Sequence, residues 1–307
     1  MTKEIQLFPK GATLEHNFDT ISRPADLVGL SYPRLCALCG RKPSTLSQAM
    51  HNACFRALGL PFVYVAFDTV DTKSAISAMR ELGIRGYSLT IPHKEVGARL
   101  VDILSDEARA IGAVNTVINN EGVLTGYNTD VYGIERAFAE SGVALRSKRV
   151  LVLGAGGAAR AAIAVCLEQG CLELVVWNRS ADRLDSLKTS WPELSTMTGN
   201  ISPKNLGVFD VIINSTPVGS FALADTQIHP FSLDNLAGSQ VVFDMVTRDS
   251  DLLTRARSRG CMTIPGIRML LFQAVKQFSL FTNCEPSISV MEDALLGELS
   301  GKRGVSL

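Results

Sequence analysis

Three groups of residues have types and spacings suited to chemistry. The first is Gly154-Ala155-Gly156-Gly157-Ala158-Ala159, in which Gly154, Gly156 and Ala159 fit the G-x-G-x-x-G/A pattern. Glycines there permit a tight turn and remove the Cβ atoms that would keep a pyrophosphate from the N–H groups at a helix start. The run follows a hydrophobic stretch at 149–153, opens an Ala-rich segment reaching Gln169, and precedes a second apolar stretch at 174–177. That context reads as a dinucleotide site, with Gly154, Gly156, Gly157 and Ala158 against the phosphates, rather than an ordinary Gly-rich turn. An NAD site usually ends its second strand in Asp or Glu; here stand Asn178, Arg179 and Ser180, with Arg183 one helical turn on. Two guanidinium groups and a hydroxyl suit a 2′-phosphate, so the cofactor is expected to be NADP. The second group, Ser88-Leu89-Thr90-Ile91-Pro92-His93-Lys94, sets a lysine just past a strand end at a helix start. The third comprises Asn115-Thr116 and Gly126-Tyr127-Asn128-Thr129-Asp130. A single lysine is ordinarily a surface charge, but polar clusters at strand ends are where α/β proteins hold small substrates.

The elements that must position these groups follow from pattern and length. At 307 residues the chain predicts two globular domains. An apolar run at 35–39, helical patterns at 47–58 and 73–82, and extended runs at 62–67 and 86–91 give a βαβα order that favours a parallel sheet. A helix over 94–111 comes next, then a hairpin around Asn119, Asn120 and Gly122. The helix from Asp130 to about residue 141 carries the domain boundary. Strands at 149–153, 174–177, 211–214 and 241–244 form the second unit, the later two rich in Val, Ile and Phe like strands covered on both faces. An amphipathic helix over 269–281 comes too late for that series and is read as packing back on the first domain. The fold class is α/β: a substrate-binding domain over 30–130 completed by 268–307, a Rossmann-like NADP-binding domain over 131–267, and a cleft between them. Residues 1–29 read as an N-terminal extension.

Composition excludes several functions. Thirty basic against thirty acidic residues leave no net charge to attract nucleic acid or an anionic membrane. Apolar stretches are interrupted well before the roughly 20 residues a transmembrane helix needs, and the charged opening segment is unlike a secretory signal, so a cytoplasmic location is expected. Seven dispersed cysteines argue for reduced thiols; Cys36 and Cys39 have CxxC spacing but no second pair, so no metal site is expected. The expected partner is a small molecule; a homodimer remains open.

The segments SLTIPHK, AVNTV, GYNTD, GAGGAAR, NRS, INSTPVG and MLLFQAVKQF occur in one order from about residue 39 to 282, and together they resemble the shikimate dehydrogenase family. The resemblance implies reversible oxidation of the ring hydroxyl of shikimate to 3-dehydroshikimate, with hydride passing to NADP. By position, Lys94 and Asp130 are implied as the catalytic pair, a chemistry that fits because hydride loss from a carbinol requires loss of the hydroxyl proton. Thr45, Ser47, Thr90, Asn115 and Gln273 are implied as substrate contacts, and Thr216, Gly266 and Met269 as elements near the cofactor.

Four positions depart from the family pattern. Thr45 adds a methyl group where Ser is usual, Ser88 shortens an Asn, Thr247 replaces a Tyr, and Arg268 adds a charge at a place commonly small. Lost hydrogen-bond partners in a hydroxyl-reading pocket can cost orders of magnitude in discrimination, so a paralogue preferring quinate or another ring acid is the alternative. A non-catalytic NADP-binding sensor would have no need for both Lys94 and Asp130. A methylene-tetrahydrofolate dehydrogenase-like enzyme would share the two-domain plan without these polar segments.

Overall fold

The computed structural model describes residues 32–220 and 229–303; the extension at 1–29 lies outside the described residues. In chain order the elements are β1 (Arg34–Gly40), α1 (Leu46–Ala57), β2 (Phe62–Asp68), α2 (Thr72–Glu81), β3 (Gly86–Leu89), α3 (Lys94–Gly97), β4 (Ile103–Leu104), α4 (Asp106–Ile111), β5 (Thr116–Asn120) and β6 (Val123–Tyr127). There follow α5 (Asp130–Glu140), β7 (Arg149–Leu153), α6 (Gly157–Glu168), β8 (Glu173–Trp177), α7 (Ala181–Ser190), β9 (Ser195–Met197), α8 (Pro203–Leu206) and β10 (Val211–Asn214). The last are β11 (Val241–Asp244), α9 (Asp251–Ser258), β12 (Met262–Pro265), α10 (Gly266–Thr282) and α11 (Ile288–Arg303). The chain divides into two compact units, one holding residues up to Thr129 and from Gln273 onward, the other Asp130–Phe272.

The first unit is built on a six-stranded sheet in the order β2-β1-β3-β5-β6-β4. Strand β1 runs parallel to β2 and β3, but β3 and β5, and β5 and β6, pair antiparallel, so the sheet is mixed rather than parallel. The turn explains part of this: Glu121 (φ 51°) and Gly122 (φ 89°) take the left-handed backbone of a two-residue hairpin, which reverses the chain directly. The expected helix over 94–111 is also broken into α3, β4 and α4. Asp102 is held by Arg80 at 3.0 Å and accepts from the Leu124 N–H at 2.7 Å, which draws Ile103–Leu104 into the sheet beside β6. Ser105 then restarts a helix by accepting from the Ala108 N–H. From Gln273 onward α10 packs in this unit. Its Phe281 lies where a Cβ on Gly86 would meet the ring at 2.2 Å, so only glycine lets helix and strand approach so closely.

The second unit is a six-stranded all-parallel sheet in the order β12-β11-β10-β7-β8-β9. Counted from β7 that is 3-2-1-4-5-6, the doubly wound order of dinucleotide-binding folds, and its direction of winding reverses between β7 and β10. Val150–Leu153 and Val211–Ile213 are wholly buried, as strands covered by helices on both faces must be.

Among the described residues no helix is long and apolar enough to cross a membrane, and no group of three His, Cys, Asp or Glu could hold a metal. Cys36 and Cys39 sit without exposure in β1, and burial pushes the Cys39 thiol up to about 12, so the CxxC pair is core packing rather than reactive thiols.

Candidate active site

The glycine turn after β7 has the features a pyrophosphate needs. Gly154 adopts φ 113°, and a Cβ there would come within 2.6 Å of Ser215 Oγ, which donates to the Leu153 carbonyl. The turn after β7 and the Ser215-Thr216 turn after β10 are therefore in contact where the sheet's winding reverses. Gly156 is the N-cap of α6 and has no side chain to bond the first-turn amides, while nothing lies within 4 Å of where its Cβ would project. Gly156, Gly157 and Ala158 are half-buried, whereas Ala159 is buried against the sheet. An anion would find uncapped N–H groups and the positive end of a 12-residue helix at this point. These residues fit a dinucleotide.

At the end of β8 the Asn178 amide donates to the Ser180 carbonyl at 2.9 Å, shaping the turn into α7. Ser180 is the N-cap of α7, yet its hydroxyl makes no cap hydrogen bond. Arg179, Ser180 and Arg183 are all exposed around this helix start. Their donors suit a phosphate monoester, in agreement with NADP.

Two polar residues at strand ends, Asn214 of the INSTPVG segment and Asp244, organise the cofactor-side loops. Asn214 ends β10 and its Oδ1 accepts from the Thr216 hydroxyl at 2.6 Å and the Thr216 N–H at 3.1 Å, while its amide donates to Asp244 Oδ1 at 2.9 Å. Asp244 ends β11, has no exposure, and also accepts from Ser250 and the Val246 N–H. Burial pushes its carboxyl above the usual range despite those three hydrogen bonds. The pair fastens the Thr216 loop to the loop bearing Thr247. Gly266, at the start of α10, lies so near Met245 that a Cβ would meet its backbone at 2.5 Å. Glycine there brings the buried Met269 turn of α10 close behind the ends of β11 and β12. Arg268 does not present an uncompensated charge: its Nε and an Nη meet the two Glu140 carboxylate oxygens at 2.6 and 2.5 Å, and its guanidinium lies over Phe272.

In the first unit, Lys94 is the first residue of α3 and is half-buried. The loop ahead of it is clamped by His93, which is fully buried. Its Nε2 lies 2.8 Å from the Thr69 carbonyl, an acceptor only, so Nε2 donates there, and Nδ1 lies 2.6 Å from the Thr72 hydroxyl. Asp130 is buried at the first position of α5. The residues leading into it are tied to the approach to β5: Asn128 donates to the Ala113 carbonyl at 2.9 Å, and the Thr129 N–H donates to Asn115 Oδ1 at 2.8 Å. Thr90 is half-buried beside Gly40, Ser47 is buried in the first turn of α1, and Gln273 is buried on α10.

Thr45 behaves differently from the other implied substrate contacts. It is exposed and donates to Glu298 Oε1 on α11 at 2.5 Å. Thr45 and Glu298 line, with Gln48, Asn52 and Arg56, a hollow of about 290 Å³ between α1 and α11. The sequence reading missed Glu298, which has no signal other than its place on the closing helix, and Gln277, one turn beyond Gln273 within MLLFQAVKQF.

Comparison with known proteins shows the family. Residues 43–117 match the model for the shikimate dehydrogenase substrate binding domain, 137–249 that for shikimate / quinate 5-dehydrogenase, and 266–296 that for the shikimate 5′-dehydrogenase C-terminal domain. Shikimate dehydrogenase (NADP(+)) of Thermococcus kodakarensis is 38% identical over 265 residues, covering 83% of this chain and 93% of the relative. The structure of shikimate 5-dehydrogenase from Thermus thermophilus in complex with NADP(H) and shikimate is similar at a TM-score of 0.76 and 33% identity, covering 86% of this chain and 99% of that one. Quinate dehydrogenase from Corynebacterium glutamicum in complex with NAD is similar at a TM-score of 0.75 and 30% identity, covering 86% and 99%.

Proposed function

The chain belongs to the shikimate dehydrogenase family, and from that premise we propose that it interconverts shikimate and 3-dehydroshikimate with NADP(H), using Lys94 and Asp130 as its proton-handling pair. Oxidation removes a hydride from the ring carbinol carbon and a proton from its hydroxyl. NADP+, when bound, supplies the hydride acceptor. This chain's residues handle the rest. A positioned amine or carboxylate of this pair can take the hydroxyl proton in one direction and return it in the other. Asn115, Thr90, Ser47 and Gln273 would hydrogen-bond the substrate's hydroxyls and carboxylate. Gly154, Gly156, Gly157 and Ala158 would hold the pyrophosphate, Asn178, Arg179, Ser180 and Arg183 the 2′-phosphate end, and Thr216, Gly266 and Met269 the nicotinamide end.

The observation that carries the cofactor assignment is the helix start at Arg179-Ser180-Arg183, with two guanidinium groups and a hydroxyl not engaged in capping. Its free cysteines accord with a reducing compartment, and we place the protein in the cytosol on that ground. The test is initial-rate reduction of NADP+ with shikimate and with quinate, each repeated with NAD+. Fast NADP+ reduction with shikimate is expected. Turnover of quinate alone would move the protein to the quinate branch of the family, and tight NADP+ binding without turnover of either acid would overturn the enzymatic reading.

A further inference from the structure

Resting on the functional reading above, we propose that Gln277 is a positioning residue that holds the Asn115 side chain in the orientation that meets substrate. A chain of buried hydrogen bonds runs through it in one direction. Tyr64 donates to Ser88 Oγ at 2.7 Å, and Ser88 donates to Gln277 Oε1 at 2.8 Å. Gln277 Nε2 donates to Thr116 Oγ1 at 2.9 Å, and Thr116 donates to Asn115 Oδ1 at 2.8 Å.

The polarity of this chain is fixed at its far end. The Thr129 N–H can only donate, and it meets Asn115 Oδ1 at 2.8 Å. Oδ1 of Asn115 therefore faces Thr129 and Thr116, and its NH2 end, which donates to Thr129 Oγ1 at 3.0 Å, is fixed on the opposite side of the amide. A hydroxyl has one proton. Thr116 commits its proton to Asn115 and must accept from its other neighbour; Ser88 accepts from Tyr64 and must donate onward. Only a neutral side chain with a donor at one end and an acceptor at the other bridges such a pair, and Gln277 has that form.

Burial makes the bridge consequential. Tyr64 and Thr116 have no exposure, Asn115 and Gln277 have 2%, and Ser88 and Thr129 have 3%. A missing partner in such a place leaves polar atoms that water cannot satisfy. Ser88 stands where the family usually has a longer Asn, and Gln277 reaches it from α10. The shortened side chain is thereby built into the support behind Asn115 rather than lost to the pocket.

The test uses the full chain as wild type, Gln277→Met, Thr116→Val and the double variant, with kcat and KM for shikimate, NADP+ affinity and melting temperature measured for each. In Gln277→Met the shikimate KM should rise roughly tenfold, the scale of one lost buried hydrogen bond, with kcat and NADP+ affinity little changed. The double variant should be no worse in KM than Thr116→Val alone, because both changes break the same relay. Gln277→Glu is the second probe should the apolar variant fold poorly. Its two acceptor oxygens turn the Thr116 proton away from Asn115 and should give the same rise in KM. Loss of thermal stability with unchanged KM in both Gln277 variants, or KM effects that multiply in the double variant, would overturn the inference while wild-type turnover stands. A wild type that does not oxidise shikimate would overturn the functional reading and this inference with it.

Discussion

Replacing His51 by Phe is expected to lower the first unit's loss of stability between neutral pH and about pH 5. His51 is wholly buried on α1, stacked on Tyr64 with 4.4 Å between ring centroids and 13° between planes, and near-parallel to Phe278 at 6.2 Å. Phe55 and Phe281 tilt against it. Among the described residues neither ring nitrogen makes a well-formed hydrogen bond; the nearby Gln277 side chain favours the charged form, but burial dominates and holds the imidazole down to about 3 from an ordinary 6.5. The folded chain thus keeps this ring neutral over a pH range in which the unfolded chain binds a proton. The unfolded state then holds more protons, and stability falls as pH drops from the unfolded value toward the folded one. Between near-neutral solution and about pH 5 the loss from this one group is about 2 kcal/mol, or about 4–8 °C in melting temperature for a unit of this size. Phenylalanine keeps the stack and binds no proton. Melting of wild type and His51→Phe across that range should show a variant at least as stable at neutral pH, with a lead that grows by about 2 kcal/mol on acidification. His229, which burial holds down to about 4 in the other unit, adds the same slope to both proteins and cancels in the difference. Parallel curves for the two proteins would refute the reasoning.

Lys94→Ala should lose roughly a hundredfold or more in kcat, the scale of a positioned acid–base group, while retaining NADP+ binding measured by calorimetry; wild-type turnover would remove Lys94 from the mechanism. The double change Arg179→Ala and Arg183→Ala should raise the NADP+ KM by roughly ten- to a hundredfold and leave that for NAD+ nearly unchanged, because the lost bonds are charge-assisted ones to a phosphate only NADP carries. Equal effects on both cofactors would mean these arginines act elsewhere. Glu298→Gln keeps an acceptor for the Thr45 hydroxyl but removes the negative charge beside it. If Thr45 meets the substrate carboxylate, the shikimate KM should fall roughly threefold, as expected for one nearby like charge in solvent. An unchanged KM would take Thr45 out of the substrate site.

Four of the second unit's six strands were legible in the sequence because their cues are local, whereas the short β9 and β12 were not read. Gly154 needs a positive φ, Gly156 needs open space, the alternation of apolar runs with Ala-rich helix spells βαβ, and Arg179 follows a strand at a fixed distance. The first unit was less legible because its deciding contacts are remote in sequence. Nothing near residue 103 announces that Asp102 is tied to Arg80 and Leu124, so a helical pattern over 94–111 conceals a strand. The parallel sheet was expected from βαβα order, and only the Glu121-Gly122 turn and its neighbours reverse it. The candidate site divides the same way. Lys94, Asn115 and Asp130 stand out through the motifs around them, whereas Gln277 lies 161 residues from Thr116, the partner that gives it meaning.

The four departures from the family pattern are not equivalent once their partners are known. Ser88 gives its proton to Gln277 and receives one from Tyr64, so its hydroxyl has no donor left for a ligand. Arg268 is paired in a forked contact with Glu140, so the charge it adds is locally cancelled. Thr45 gives its hydroxyl proton to Glu298 and adds one methyl group, a shape change worth only about 1–3 kcal/mol against a ring acid. Thr247 is different in kind. Its loop is fastened behind it, since Val246 and Ser250 on either side both donate to the buried Asp244, and a fixed backbone does not move to supply the missing phenolic donor. A pocket that reads hydroxyl groups discriminates far more strongly by a lost hydrogen-bond partner than by a methyl group. Any shift in preference between shikimate and quinate should therefore trace to position 247 before the other three, and Thr247→Tyr is the substitution that would shift the ratio of kcat/KM for the two acids.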